Sequence, residues 1–207
     1  VFHIAPKLAF SKAATRFPLP ELLNRDVRLH SGSNRPSHPE LMSNRVATTV
    51  DPAPERGKGG REISLYENGV VEVVTGRLSY EKGNDHFISD ASLVGPIVGN
   101  LSTVLSLLAE RNQDQKVLAT ATYIGCDGTR FKPNSPTSTV TNDYVQAPVV
   151  SFAGYDPEEA TEIGTYDIRT EYLKELYRPL YHSAGIRDLP IEIPETIELP
   201  DLSMDES

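Results

Sequence analysis

The strongest constraint on this chain lies in Glu62 to Val74, EISLYENGVVEVV. Two runs rich in apolar and β-branched residues flank Asn68-Gly69, a pair suited to the positive φ angles of a two-residue type I′ hairpin turn. A loop of that length sets Tyr66 opposite Val71, Leu65 opposite Glu72 and Ile63 opposite Val74. Apolar side chains then fall on both faces of the ribbon, so both faces are expected to be partly covered. Glu72, inside an apolar run, is read as a sheet-edge or rim residue rather than as a catalytic acid.

On either side of the hairpin the character of the chain changes. Residues 1–61 carry ten Lys/Arg against five Asp/Glu, whereas 62–207 carry ten against twenty-four. Three parts are expected: a basic, Pro-rich arm over 1–61, an α/β (α+β) domain over 62–187, and an acidic extended tail over 188–207. A length of 207 residues with 38% hydrophobic residues and 16 prolines suits one core joined to extended segments. The domain is expected to hold a small mixed or antiparallel sheet with the hairpin, one long amphipathic helix and a kinked C-terminal helix.

Within the arm, Val1 to Pro6 reads as a short strand belonging to a sheet whose other strands lie upstream. A start at Val1 without Met is the pattern of a fragment or a processed product. From Ser11 to Pro54 breakers dominate, with a brief helix expected over Ser37 to Arg45. Arg56 to Arg61, RGKGGR, reads as a flexible linker, Gly76 to Tyr80 as an extended piece and Glu81 to Asp85 as a turn.

Beyond the hairpin, Ser89 to Arg111 places Leu93, Val94, Ile97, Val98, Leu101, Val104, Leu105 and Leu108 at helical spacing, which makes it the principal core helix. Lys116 to Ile124 is the second clear strand, with Ala119 and Ala121 small enough to let a helix approach. Gly125 to Gly128 turns the chain, and Lys132 to Asp143 is a loop. Val145 to Phe152 is an edge strand because Pro148 cannot donate to a ladder. Asp156-Pro157-Glu158-Glu159 has the form of a helix start. Thr170 caps a helix carrying Tyr172, Leu173, Leu176, Tyr177, Leu180 and Tyr181 on one side; Pro179 kinks it and Gly185 ends it. The acidic tail is expected to lie along the basic arm.

Chemistry-bearing motifs are sparse. The segment Val27 to Arg35, VRLHSGSNR, gathers Arg28, Ser31, Gly32, Ser33 and Arg35, a set able to offer backbone N–H groups and cations to an anion or to nucleic acid. It reads equally as a plain polar turn, and it lacks the Gly-Lys-Ser/Thr ending of a P-loop. The basic arm can touch phosphate or the acidic surface of its own body; the net charge of −9 disfavours non-specific nucleic-acid binding by the whole chain. Cys126 is the only cysteine, so no intrachain disulfide forms and a reducing cytoplasm is the default compartment. Nothing nearby in sequence would activate its thiol. Tyr172, Tyr177 and Tyr181 form either a binding surface or a packing stripe. The five histidines show no ligand spacing, and no GxSxG, GxGxxG or CxxC occurs, so neither a catalytic residue, a metal site nor a cofactor is expected. No apolar run approaches the ~20 residues of a membrane span.

Two stretches together resemble a known group. ISLYENGVVEVV is similar to the aromatic–x–Asn/Asp–Gly–x–hydrophobic–Glu hairpin found downstream of the AlbA_2 domain, the Schlafen-like DNA-binding domain of many bacterial and archaeal proteins. VRLHSGSNRPSHPEL is similar to the R–x–Gly–Ser–x–x–x–Pro segment that closes that domain. The matching positions are Arg28, Gly32, Ser33, Tyr66, Asn68, Gly69 and Glu72; the acidic N-terminal half of AlbA_2 has no counterpart. The resemblance implies a non-catalytic accessory or sensor-like domain. Such a domain would mediate protein association, homo-oligomerisation or regulation of a nucleic-acid-binding partner. The alternative is part of a metal-dependent nuclease or nucleotide hydrolase completed by another segment or chain.

Overall fold

The computed structural model describes residues 1–11, 16–20, 39–50, 60–76, 79–82, 84–88, 93–94, 97–98, 100–101, 104–105, 116–131, 138–152, 165–167, 170–189 and 196–198. These residues form a mixed α+β fold dominated by antiparallel sheet. The strands are β1 (Phe2–Pro6), β2 (Glu40–Leu41), β3 (Arg45–Val50), β4 (Arg61–Tyr66), β5 (Val71–Thr75), β6 (Ser79–Lys82), β7 (Asp85–Ile88), β8 (Val117–Ile124), β9 (Arg130–Phe131), β10 (Tyr144–Gln146), β11 (Val150–Phe152), β12 (Thr165–Asp167) and β13 (Thr196–Glu198). The helix α1 spans Thr170–Ser183.

The main sheet has the order β10-β8-β1-β5-β4-β3-β2, with β11 on the same edge of β8 as β10. Contrary to expectation, β1 is a central strand of the chain's own sheet, flanked by β5 and β8. The stretch over Ser37 to Arg45 is not helical where it is described: Glu40–Leu41 and Arg45–Val50 form a hairpin, closed by a bond from the Met42 N–H to the Arg45 carbonyl at 2.8 Å. The run RVATTV explains why, because β-branched side chains favour the pleated surface. A boundary at residue 61 would fall inside this sheet, since β3 and β4 pair along their whole length.

The β4–β5 hairpin forms, with a register one residue away from the expected one. Ser64, not Leu65, lies opposite Glu72, and Ile63 lies opposite Val73. The loop holds three residues rather than two. The Gly69 N–H bonds the Tyr66 carbonyl at 2.9 Å and the Tyr66 N–H bonds the Val70 carbonyl at 2.8 Å. Gly69 takes φ +82°, the left-handed residue that closes a type I turn with a G1 bulge. This shift moves every apolar residue of the ribbon to one face. Ile63, Leu65, Val71 and Val73 join Phe2, Ile4, Val46, Ala119, Ala121 and Val117 in the core, while Glu62, Ser64 and Glu72 take the other side. The expected apolar residues on both faces are therefore not found.

Along the β8 edge, β10 and β11 are one strand interrupted at residues 147–149. Tyr144 pairs with Ile124, whereas Val150 pairs with Ala119, which leaves one extra residue on the outer strand. That is a bulge at Pro148, the residue that cannot donate. The expected edge strand is thus present. Thr120 Oγ1 donates to the Ala147 carbonyl at 3.0 Å and holds the bulge.

Helix α1 packs on β8, β10 and β11, burying Leu173, Leu176, Tyr177, Leu180 and Tyr181. Pro179 lies inside the helix without ending it; its missing N–H loosens the carbonyls one turn back. The Leu176 carbonyl there accepts a buried bond from the Tyr123 hydroxyl at 3.0 Å. Gly185, at φ +74°, ends the helix in a Schellman motif: its N–H bonds the His182 carbonyl and the Ile186 N–H bonds that of Tyr181. Residues 93–94, 97–98, 100–101 and 104–105 are helical, and Leu93, Ile97, Leu101, Val104 and Leu105 enter the same core. The rest of the expected helix Ser89 to Arg111 lies outside the described residues, as does the Asp156 helix start.

Two small sheets complete the fold. The stretch expected as a turn, Glu81 to Asp85, connects β6 to β7, with Lys82 opposite Asp85; β9 then pairs with β7 in parallel. Phe131 of β9 stacks on Tyr181 with centroids 4.2 Å apart. Strand β13, within the acidic tail, pairs with β12 rather than with the basic arm.

Two outcomes follow. Gly69→Ala places a Cβ in the left-handed region and 2.5 Å from Phe17 Cε2. It is expected to lower the unfolding free energy by about 1–3 kcal/mol in denaturant titration; a loss below about 0.5 kcal/mol would contradict the assigned loop. Burial raises the ionisation of both Tyr123 and Tyr177 well above the ordinary range. Their neutral forms belong to the folded state, so stability falls as pH rises past the unfolded value of about 10. Tyr123→Phe, which deletes the bond to Leu176, should cost about 1 kcal/mol. The Tyr177 hydroxyl has no hydrogen-bond partner among the described residues. Tyr177→Phe should therefore be neutral or stabilising, and equal losses in the two variants would refute the contrast.

Candidate interaction surface

The polar face of the main sheet is built around a cross-strand pair. His3 and Glu72 are direct neighbours on β1 and β5, and His3 Nε2 lies 2.9 Å from Glu72 Oε2. Glu72 is therefore on a central strand, not at an edge or rim. The same row continues outward to Thr120 on one side and Ser64 on the other. Ser64 Oγ donates to Glu62 Oε1 at 3.1 Å, and Arg45 Nη1 reaches that oxygen at 3.2 Å and the Tyr66 hydroxyl at 3.3 Å. The Arg45 guanidinium also lies 5.8 Å from the Tyr66 ring centroid. These contacts tie neighbouring strands together, each worth a few tenths to about 1 kcal/mol. Among the described residues no group of three or more His, Cys, Asp or Glu could hold a metal ion.

At one end of the sheet the hairpin tip clamps two other turns. The Glu67 carbonyl accepts the Phe17 N–H at 2.7 Å, and the Glu67 N–H donates to the Asn44 carbonyl at 3.1 Å. Asn68 Nδ2 donates to the Ala9 carbonyl at 3.3 Å, while Arg16 Nη1 lies 3.3 Å from Glu67 Oε1. Ala9 and Phe17 are buried beneath the tip, and Phe17 fills the space that any side chain at position 69 would need.

What this clamp presents outward is apolar and basic. The turn after β1 is closed by bonds from the Ala9 and Ser11 N–H groups to the Pro6 and Leu8 carbonyls at 2.8 and 2.9 Å. It exposes Leu8 and Phe10, the latter 82% accessible. Across the tip, the β2–β3 turn exposes Leu41 and Met42, and Arg45 Nε donates to Met42 Sδ at 3.2 Å. From β1 to β2 the two turns are separated by four strand spacings, roughly 19 Å. Lys7 and Lys116 are exposed at the same end, joined by a bond from the Lys7 N–H to the Lys116 carbonyl at 2.6 Å. Four of the exposed large apolar side chains thus gather where one chain end of the sheet turns, a clustering that marks an interaction site.

The residues singled out from sequence fare differently. Arg28, Ser31, Gly32, Ser33 and Arg35 lie outside the described residues, as do the RGKGG stretch and the side chain of Tyr172. Tyr177 and Tyr181 are packing residues, both buried. Cys126 is buried in its turn, and desolvation raises its thiol above the ordinary range. The turn is held by bonds from the Gly125 N–H to the Asp143 carbonyl and from the Gly128 N–H to the Val140 carbonyl. The exposed turns carrying Leu8, Phe10, Leu41 and Met42 escape a sequence reading, because only the strand order brings them to one end.

Comparisons with protein-family models, with curated proteins and with solved structures found no match. Among the described residues, no helix is long and apolar enough to cross a membrane.

A neutral, buried thiol reacts slowly. Cys126 in the folded protein should react with a disulfide reagent at least about tenfold more slowly than in denaturant. Equal rates in the two conditions would place it on an accessible surface.

Proposed function

We propose that the chain is a non-catalytic accessory domain that acts by protein association, in keeping with its resemblance to the region downstream of AlbA_2 domains. In this reading it positions or regulates a nucleic-acid-binding partner, and the basic segment holding Arg28 and Arg35 is where nucleic acid would touch this chain. The observation that supports it is the hairpin end of the sheet. There Leu8, Phe10, Leu41 and Met42 are exposed, although the turns that carry them are pinned by backbone bonds and buried anchors. A rigid turn holding a large aromatic side chain in water has the makings of a contact anchor, because little further ordering is needed on binding. The groups best able to do chemistry serve the fold instead: Cys126 is buried and the His3–Glu72 pair bridges two strands.

The test places a photo-crosslinking aromatic residue at position 10, and at exposed His182 as a control, in cells that make the protein. A discrete adduct from position 10 and none from position 182 is expected. Equal labelling from both positions, or none from position 10, would contradict the reading. Purified chain given Mg²⁺ or Mn²⁺ with single- or double-stranded DNA and RNA should release no product; cleavage abolished by carboxylate substitution would favour a hydrolase instead.

A further inference from the structure

We propose that the β10–β11 edge of the main sheet is a second contact surface, one that pairs with the same edge of another copy of this chain. It uses residues separate from the hairpin end and does not depend on the reading given for that end.

Among the described residues, β10 and β11 pair with β8 alone, so their outer side is an open sheet edge. Open edges are ordinarily blunted with charged side chains. This one has none: residues 144–152 and the adjoining 117–124 contain no Asp, Glu, Lys, Arg or His. Exposed large apolar side chains gather on it instead. Tyr144 and Ile124 are direct cross-strand neighbours at 59% and 63% accessibility, and Val149 stands out at 65% where the bulge re-aims the strand. The intervening exposed positions, Gln146 and Ser151, are polar but neutral.

Charge selects the occupant. At a net charge of −9, two copies repel one another over most orientations. A neutral strip avoids that repulsion and matches itself in charge, as a two-fold, isologous contact requires. Pro148 and the bulge limit how far a ladder can run, which suits a closed pair better than an open-ended chain of copies. The occupant is accordingly a second copy, in contact through Tyr144, Ile124 and Val149.

Sedimentation velocity of the full chain from about 1 to about 200 µM tests this directly, because a dimer is populated by mass action. The mass is expected to rise to twice 22.8 kDa within that range. Ile124→Asp and Val149→Asp each put like charges face to face and should weaken association at least about tenfold. Phe10→Asp, at the other surface, should leave it unchanged. Circular dichroism and thermal unfolding at low concentration verify that each variant folds; if one aspartate variant does not, the other carries the comparison. A monomer throughout the range, a dimer indifferent to both aspartate substitutions, or a dimer lost in Phe10→Asp would overturn the proposal.

Discussion

One left-handed residue decides how this sheet is made. With Gly69 closing a three-residue loop, the β4–β5 ribbon is in a register that gathers Ile63, Leu65, Val71 and Val73 on one face. In a two-residue loop the same sequence would divide those side chains between the faces. Strands β1 and β8 could not then complete a single core against the ribbon, since pairing propagates the alternation across every neighbour. The polar row of His3, Glu72 and Ser64 is the reverse of the same arrangement. It is formed by the residues the register excludes from the core.

The loop also explains the end of the molecule. A longer, bulged tip brings the Glu67 backbone between two turns, where its N–H and carbonyl are satisfied by Asn44 and Phe17. Asn68 adds the bond to Ala9. Three turns distant in sequence become one rigid rim, and the apolar side chains that face away from the core have nowhere to go but outward. Fold and candidate surface therefore share a cause. The opposite edge is independent of it, shaped by Pro148 and a strip without charge.

Much of the fold was legible in the residues. The run over 117–124 is a strand, Asn68-Gly69 marks a hairpin, Pro148 marks an edge, and Thr170 to Gly185 contains α1 with its Schellman end. These are local signals, carried by periodicity and by residues with restricted φ. What was illegible depended on distance in the chain. Asn68-Gly69 suits two turn types, and the choice between them rests on Phe17 and Pro6 packing under position 69. Val46 to Val50 was hidden among breakers, and β1 looked orphaned because its partners lie about 70 and 120 residues on. The same limit hid the candidate surface: Phe10 and Met42 have no sequence relation until strand order places them at one end. The Arg28 to Arg35 segment remains a sequence-based candidate for anion contact.

The most direct measurement of the central claim is the nuclear Overhauser pattern across the hairpin. In an antiparallel pair the non-hydrogen-bonded positions bring Cα atoms to about 4.5 Å, close enough for strong Hα–Hα effects. The three-residue loop predicts those effects between Leu65 and Val71 and between Ile63 and Val73. Strong effects linking Leu65 to Glu72 and Ile63 to Val74 instead would establish the two-residue turn and contradict the account.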